Sequence, residues 1–217
     1  MNIEQARFNM IEQQIRPWEV LDASVLSLLS LLRREDFVPP AHRSLAFMDL
    51  EVPLPEGQCM LAPKVEARLL QELALRKHER VLEVGTGSGY MAALLAHQAQ
   101  HVITLEKRPA LAKAAIDHLR RAGVFNTEVR NADGAAGLPT EAPFDAIVLS
   151  GSVAEIPRSI LEQLKVGGRL VAIVGDEPVM PAVLVTRRSA DGFEQVELFD
   201  TVAPRLEGFP EPSRFSF

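Results

Sequence analysis

The sequence predicts an α/β fold: a doubly wound, mostly parallel sheet with a C-terminal antiparallel pair of strands and an N-terminal helical extension. From Val81 onward, short apolar runs alternate with segments whose apolar residues recur at helical spacing, which is typical of parallel strands joined by helices. The run FDAIVL at 144–149 is apolar on both faces, as a central parallel strand should be. We therefore expect one compact unit at 61–217, preceded by a lid of helices and irregular chain at 1–60.

Two helices and an irregular arm are predicted for the N-terminal extension. Apolar residues share one face of a helix at 3–16, and Pro17 ends it. Asp22 is a suitable N-cap for a second helix, Ala23 to Arg34. The arm at 41–60 contains prolines and a glycine and shows no periodicity, and long ordered arms beside a binding fold are often functional.

The remaining chain reads as alternating strands and helices, closed by a hairpin. Gly123 suits the residue after a helix C-terminus, and a turn ending at Gly192 joins the last two strands. The proline-rich chain from Pro204 is expected to lie over the surface. The predicted strands are 81–84, 101–106, 127–130, 144–149, 169–174, 183–187 and 193–199, and the predicted helices are 62–76, one from Tyr90, 109–122 and 156–164.

A glycine-rich turn within VLEVGTGSGYMAALLA, at 81–96, separates a strand from a helix, which is how an open α/β sheet forms a nucleotide-type site. Its spacing is G-x-G-x-G rather than the G-x-G-x-x-G of dinucleotide sites. Glu83, two residues before the first glycine, would repel a pyrophosphate but suits a cationic ligand. The turn resembles motif I of the class I S-adenosylmethionine (SAM) methyltransferases, which wraps the methionine end and ribose of SAM. The turn residues predicted to bind cofactor are Gly85, Thr86, Gly87, Ser88 and Gly89.

Two further acids follow the next two strands. Glu106 ends the second strand, where an acid at the switch point of the fold can accept both ribose hydroxyls; the alternative is a surface glutamate. Asp133 and Gly134 follow the third strand, where SAM enzymes usually have an acid that faces the adenine amino group; the alternative is a simple Asp-Gly turn. Lys107 completes the predicted cofactor-binding set.

Composition and charge exclude several classes of function. The net charge of −6 disfavours broad contact with a nucleic-acid backbone, which needs a basic face. Cys59 is the only cysteine, so no intrachain disulfide can form. The N-terminus has no apolar signal-peptide core, and the longest apolar-rich run, Val25 to Leu32, is too short to cross a bilayer. We expect a soluble, cytoplasmic protein without a nucleic-acid or membrane partner.

No metal site or nucleophilic triad is predicted. His97 and His101 are four residues apart, but they straddle a helix end and a strand start, and no acid or cysteine accompanies them. The order of serine, histidine and acid residues suggests no triad.

The ordered set of motifs resembles the protein-L-isoaspartate (D-aspartate) O-methyltransferase family, over most of the chain to about residue 176. The set is more specific than the glycine turn alone. It comprises DFVP at 36–39, AFMD at 46–49 with PLP at 53–55, GQ at 57–58, AP at 62–63, the 81–96 stretch, DG at 133–134 with GLP at 137–139, APFDAIVL at 142–149 and IPRSILEQLKVGGRLVAIVG at 156–175.

The resemblance implies a Rossmann-like sheet and methyl transfer from SAM, leaving S-adenosyl-L-homocysteine, to the free α-carboxylate of L-isoaspartyl residues in damaged proteins. Because that carboxylate is ionised at neutral pH, no general base is needed and no catalytic residue is predicted. Catalysis then comes from alignment and from excluding water. The resemblance also implies that the N-terminal helices and the arm at 41–63 form a lid over isoaspartyl peptides. We expect a monomer or a weak homodimer.

One departure from the family concerns the substrate side. The family usually reads Gly-Gln-Thr-Ile-Ser-x-Pro where this chain has Cys59 in the threonine position and Leu61 in the serine position. Losing a hydrogen bond to a charged group costs roughly 1.5–3 kcal/mol, or about one to two decades in rate if the bond forms only in the transition state. The substrate-adjacent residues predicted are Cys59, Leu61, Pro63, Ser150, Gly151 and Ser152.

Two alternatives to isoaspartyl methylation remain open. Leu61 allows a SAM-dependent enzyme that acts on another acceptor, such as a small-molecule carboxylate or hydroxyl. A SAM-binding protein without catalysis, acting as a sensor or adaptor, is the other alternative.

Overall fold

The computed structural model describes residues 2–211 and confirms the predicted fold class. A seven-stranded sheet, parallel except for two C-terminal strands, carries helices on its faces. A two-stranded hairpin lies in the arm. The helices are α1 (Ile3–Met10), α2 (Ala23–Leu31), α3 (Pro63–Leu73), α4 (Tyr90–Gln98), α5 (Pro109–Arg121) and α6 (Arg158–Leu161). The strands are β1 (Val52–Pro53), β2 (Cys59–Met60), β3 (Arg80–Val84), β4 (His101–Glu106), β5 (Thr127–Asn131), β6 (Phe144–Val153), β7 (Leu164–Val174), β8 (Met180–Arg187) and β9 (Phe193–Thr201).

The order of strands in the large sheet is β5-β4-β3-β6-β7-β8-β9. Strand β3 lies at the centre of the parallel part and pairs with β4 on one side and β6 on the other, with Glu83 opposite Thr104 and Val148. The order reverses at β3, and open α/β sheets bind ligands at the carboxyl ends of strands at such a reversal. The site is therefore expected at the end of β3, where the glycine turn begins.

Both faces of the sheet are buried. One hydrophobic cluster joins the N-terminal helices to α3, α4 and one face of the sheet, and it includes Met10, Leu29, Leu70 and Val148. The other face, which includes Phe144 of β6, packs against α6 and the chain near Phe209. Residues of 2–60 and of 61–211 thus share one cluster, and the division of the chain at residue 60 stays a prediction.

The first helical segment runs further than predicted. After α1, the chain continues through a π-helical turn, Ile11–Ile15, and a 3-10 turn, Arg16–Trp18. Pro17 lies inside that last turn because proline is tolerated in a first helical turn. Helix α2 is capped by Asp22 as expected, but it ends at Leu31 rather than Arg34. Arg34 instead begins a short 3-10 turn, which turns its side chain inward.

The helix predicted at 156–164 is shorter than expected at both ends. Only Arg158–Leu161 is helical, and β7 already begins at Leu164, which pairs with Phe144. Gly167 and Gly168 lie inside this long strand instead of preceding it. A Cβ on Gly168 would stand 2.8 Å from the carbonyl oxygen of Lys165, so glycine permits the irregular register there.

Strand β6 also extends beyond its predicted end at Leu149. It pairs with β7 at Val148 and again at Ser152, and the three residues between them face a single residue of β7. Such a bulge re-aims side chains beside functional sites. Ser150 therefore leaves the regular strand alternation at the carboxyl end of the sheet.

Candidate functional site

The glycine turn lies where β3 ends, at the reversal of strand order. Gly85, Gly87 and Gly89 all have positive φ, at 95°, 53° and 85°, a region that side chains other than glycine adopt at a cost. The N–H of Gly85 donates to the carbonyl of Leu105 on β4, which fixes the turn against the sheet. Gly89 packs tightly against Ala115 of α5, since an added Cβ would be 3.2 Å from the alanine Cβ.

The other two turn residues face inward and brace the turn. The Thr86 hydroxyl is 2.6 Å from the Thr104 hydroxyl, and Ser88 accepts from the N–H of Tyr90 at the start of α4. Both side chains are buried. Thr86 and Ser88 thus have partners within the protein, and Gly85 and Gly87 line the adjacent cavity.

Glu83 is fully buried beneath the turn. Its carboxyl accepts hydrogen bonds from the hydroxyls of Thr104, at 2.6 Å, and Ser150, at 2.8 Å. Burial raises the pKa of Glu83 to about 8, although the two hydrogen bonds act to lower it. The nearby carboxylates of Glu66 and Glu106 add to the rise. A cation bound beside Glu83 would stabilise its ionised form.

Glu106 lies at the end of β4 with its carboxylate held by two backbone groups. One oxygen accepts from the N–H of Gly87 at 2.9 Å and the other from the N–H of Arg108 at 3.0 Å. The side chain is buried and lines the same cavity as Gly85. These two hydrogen bonds fix the orientation of the carboxylate beside the glycine turn. A carboxylate held in this way can accept hydrogen bonds from both hydroxyls of a diol.

Asp133 and Gly134 lie at the far side of that cavity. Asp133 accepts from the N–H of Ala135 at 3.0 Å and pairs with Lys107 at 3.1 Å, and these contacts lower its pKa. Gly134 touches β3 so closely that a Cβ would lie 2.4 Å from a methyl of Val84. The floor of the cavity is therefore apolar and its rim carries a carboxylate, a combination that suits a purine base with an amino group.

The C-terminal segment from Ala203 to Phe209, of which the part from Pro204 is predicted to lie over the surface, crosses the site. It bonds to β6 at Ser152, which donates its N–H to Pro204 and accepts from the N–H of Leu206, each at 2.8 Å. Leu206 covers Gly85, and Leu206, Glu207 and Phe209 line the cavity of Glu106. The prediction for 212–217 lies outside the described residues.

Arg108 links two distant parts of the chain at the edge of this cavity. Its guanidinium is 2.6 Å from Glu207 of the C-terminal segment and 3.5 Å from Glu56 of the arm. The side chain is largely covered by these neighbours. The arm and the C-terminal segment therefore meet through one cation.

A second cavity lies on the other side of Gly85, between the arm and the sheet. Leu61, at 7% exposure, and Cys59 form its wall from the arm. Burial raises the pKa of Cys59 to about 12, with help from the Glu51 carboxylate, so the thiol stays neutral at physiological pH. Pro63 opens α3 just behind this wall. The residues lining this inner cavity are Cys59, Met60, Leu61, Glu66, Leu69, Glu83, Gly85, Thr86, Gly87, Ser88, Met91 and Ser150.

A buried ion pair holds the arm in place beside the inner cavity. Arg34 is 1% exposed and bonds both the carboxylate of Glu66 on α3 and, at 2.7 Å, the carbonyl oxygen of Leu61. Its guanidinium also lies over the ring of Tyr90, 4.9 Å from the centroid. Burial raises the pKa of Glu66 although Arg34 opposes the rise. Arg34 therefore fixes the backbone of Leu61 relative to the sheet.

The three residues predicted to lie beside the substrate at the end of β6, Ser150, Gly151 and Ser152, face different surroundings. Ser150 lines the inner cavity and bonds Glu83. Gly151 is covered by Leu206, whose Cγ would lie 2.8 Å from an added Cβ. Ser152 is fully buried and donates its hydroxyl to the carbonyl of Ala203, so it faces the C-terminal segment.

Sequence reasoning missed several residues that border the site, Leu206 among them. Arg34 and Glu66 carry no motif, and the run of charged residues RRED at 33–36 gives no sign that Arg34 is buried. Arg108 and Glu207 are far apart in sequence, and Phe209 stands in a proline-rich segment. No local pattern brings such residues together, because their contacts depend on how the sheet is closed.

The described residues hold no group of three histidine, cysteine or acidic side chains that could bind a metal ion. In the same part of the chain, no helix has the length and apolar character needed to cross a membrane.

Comparison with known proteins gives a consistent match. The family model described as protein-L-isoaspartate (D-aspartate) O-methyltransferase matches residues 5–202. A protein-L-isoaspartate O-methyltransferase of Methanoculleus marisnigri is 43% identical over 182 residues, which cover 84% of this chain and 83% of that protein. Protein-L-isoaspartate O-methyltransferase 2 of Marinobacter nauticus is 38% identical over 213 residues, with 96% and 97% covered.

The fold is also similar to solved structures. A crystal structure of a protein-L-isoaspartate O-methyltransferase from Plasmodium falciparum, in complex with S-adenosyl-L-homocysteine, superposes with a TM-score of 0.79 at 20% identity. The match covers 95% of this chain and 99% of that one. At this identity the likeness concerns the fold.

Proposed function

The chain belongs to the protein-L-isoaspartate (D-aspartate) O-methyltransferase family, and we propose that it transfers the methyl group of SAM to the free α-carboxylate of L-isoaspartyl residues in damaged proteins. Membership is shown by the family match over residues 5–202 and by relatives about 40% identical over most of the chain. The enzyme is thus a SAM-dependent methyltransferase of protein repair, and S-adenosyl-L-homocysteine is its product.

The site fits SAM in its chemistry. The observation that carries the fit is the pair of cavities that share Gly85, with a buried carboxyl, Glu83, in one and a directed carboxylate, Glu106, in the other. We propose that Glu106 accepts the ribose hydroxyls and that Asp133 accepts from the adenine amino group. The inner cavity, next to Glu83, would hold the cationic methionine end.

SAM supplies, when bound, a methyl group activated by a sulfonium. The isoaspartyl α-carboxylate is already ionised at neutral pH, so no residue of this chain needs to remove a proton. The task of the chain is to align the two groups and to exclude water. Leu61, Met60 and Leu69 supply apolar surface on the inner cavity for that purpose. The neutral thiol of Cys59 adds no competing nucleophile.

The test is methyl transfer from labelled SAM to an isoaspartyl peptide beside its aspartyl twin. We expect base-labile methyl ester on the isoaspartyl peptide alone. Ester on both peptides, or on neither while SAM still binds, would contradict the proposed acceptor. In that second case the apolar wall formed by Leu61 would favour a search among small-molecule carboxylates and hydroxyls.

We also propose the partners, the cellular location and the oligomeric state of the protein. The net charge of −6 supports the absence of a nucleic-acid partner. The single free thiol, Cys59, is compatible with a reducing compartment, so we place the protein in the cytoplasm and without a membrane partner. We propose a monomer or weak homodimer, which sedimentation across a range of protein concentrations would test.

A further inference from the structure

The glycine turn is held from two sides. Its first half is bonded to β4, since the N–H of Gly85 donates to the carbonyl oxygen of Leu105 and the N–H of Gly87 donates to the carboxylate of Glu106. Its second half, residues 88–89, faces helix α5. The two halves therefore depend on different elements of the fold.

His118 of α5 bonds to the second half of the turn. It lies three residues after Ala115, on the same face of the helix, and Gly89 packs against Ala115. The Nδ1 atom of His118 is 2.9 Å from the carbonyl oxygen of Ser88. A carbonyl oxygen can only accept a hydrogen bond, so Nδ1 carries a proton and donates to it.

The same imidazole ring contacts the N-terminal extension. It makes an edge-to-face contact with Phe37, with ring centroids 5.9 Å apart, and Phe37 makes a second such contact, at 5.3 Å, with Tyr90 at the start of α4. Phe37 and Tyr90 are each 1% exposed. These buried rings support the imidazole from one side, which holds Nδ1 in place beside Ser88.

Ser88 connects this contact to the inner cavity. It is a buried residue that lines the cavity, and its hydroxyl accepts from the N–H of Tyr90. The carbonyl oxygen of a buried residue is costly to leave without a partner. Loss of the His118 donor would therefore let this part of the turn shift, while the first half would keep its bonds to β4.

We propose that His118 is a positioning residue, which holds Ser88 at the inner cavity and so sets the affinity for the methionine end of SAM but not for its adenosine end. This inference rests on the proposed function, in which the methionine end lies in the inner cavity and Glu106 accepts the ribose hydroxyls. The carboxylate of Glu106 has its own bonds, to Gly87 and Arg108, which do not involve His118. The two ends of the cofactor should therefore respond differently when His118 is replaced.

The experiment compares the affinities of two ligands by titration calorimetry. S-adenosyl-L-homocysteine has both ends of the cofactor, and 5′-methylthioadenosine has the adenosine end without the amino-acid group. His118→Phe removes the N–H and keeps a ring beside Phe37. We expect this variant to bind S-adenosyl-L-homocysteine about 5- to 20-fold more weakly than the natural protein, and 5′-methylthioadenosine within about twofold of it. Any result in which S-adenosyl-L-homocysteine is not weakened more than 5′-methylthioadenosine would overturn the proposal.

Two further variants separate the hydrogen bond from the ring. His118→Asn places an amide nitrogen where Nδ1 stands and removes the contact with Phe37, so it should bind S-adenosyl-L-homocysteine within about threefold of the natural protein. His118→Leu has neither donor nor ring and should lose affinity as His118→Phe does, and it replaces that variant if His118→Phe does not fold. An equal loss in His118→Asn and His118→Leu would contradict the role of the hydrogen bond.

The outcome does not depend on the methyl acceptor, because no peptide is present. If the natural protein bound neither ligand, the proposed cofactor site itself would be wrong. If the natural protein bound both ligands and the variants failed to separate them, only the role of His118 would be contradicted.

Discussion

The hydroxyl of Ser150 on β6 donates a 2.8 Å hydrogen bond to the carboxyl of Glu83 on β3. The bond crosses the point where the order of strands reverses, and the bulge of β6 turns Ser150 toward it. It places a titratable group at the junction of the two proposed halves of the ligand site.

The stability of the ligand-free protein should fall with rising pH because of Glu83. Its pKa is about 8 in the folded protein against an ordinary 4.5, so between these values the folded state holds a proton that the unfolded state has lost. Stability from this group then decreases by up to about 1.4 kcal/mol per pH unit across that window. Glu83→Gln removes the titration, so its stability relative to the natural protein should rise from pH 5 to 8. Urea unfolding at several pH values measures the difference in unfolding free energy between the variant and the natural protein. Glu155→Gln, at an exposed position, is the control. A difference that stays the same from pH 5 to 8 for Glu83→Gln would contradict the prediction.

Glu106→Gln should weaken binding of S-adenosyl-L-homocysteine about 10- to 100-fold, the loss expected for hydrogen bonds to a charged group. Both carboxylate oxygens of Glu106 accept hydrogen bonds from backbone N–H groups. The glutamine side chain would place its NH₂ group, a donor, against one of these N–H groups. Titration calorimetry measures the affinity. Glu128→Gln, an exposed acid on β5, is the control, and equal affinities for the two variants would refute the ribose assignment.

Leu61→Ser should raise kcat/KM for an isoaspartyl peptide by about one to two decades, because it restores a hydroxyl to the wall of the inner cavity. Leu61→Ala is the matched control, since it removes the same bulk without adding a donor. Both variants lose buried apolar surface, so their unfolding midpoints should shift to a lower denaturant concentration. If Leu61→Ala gained as much activity as Leu61→Ser, the lost hydroxyl would not explain the departure from the family.

Arg34→Met should destabilise the fold by about 3–5 kcal/mol, because it leaves the carboxylate of Glu66 buried without its partner. The double variant Arg34→Met with Glu66→Leu should recover most of that loss, since both charges are then absent. Denaturant unfolding of the natural protein and the three variants gives the coupling energy. Additive losses in the double variant would show that the pair is not coupled.

Some elements of the fold could be predicted from the sequence better than others. Strands β3, β4 and β6 were predicted within a few residues because their apolar runs and the glycine turn are local signals. The helix predicted at 156–164 failed beyond Leu161, since the pairing of Leu164 with Phe144 is a tertiary contact that local propensity does not report.

The same distinction holds for the site. The positions of Glu83 and Glu106 beside the glycine turn could be predicted because each stands at or next to a strand end fixed by the fold, and their roles in binding stay predictions. Arg34 could not, because its role depends on reaching Glu66 and the carbonyl of Leu61 in three dimensions. Leu206 and Phe209 could not either, since their prolines and charged neighbours suggested a surface tail.

Arg108 closes the cavity of Glu106 by joining one segment that precedes the large sheet to one that follows it. This guanidinium holds Glu56 from before the sheet and Glu207 from after it, and Glu207 lies beyond residue 202, where the family model ends. A polypeptide shortened at that residue would keep every strand and the complete glycine turn. Its cavity beside Glu106 would nevertheless stand open to water above Gly85, so the short segment after β9 determines how much water reaches the ligand proposed for this cavity.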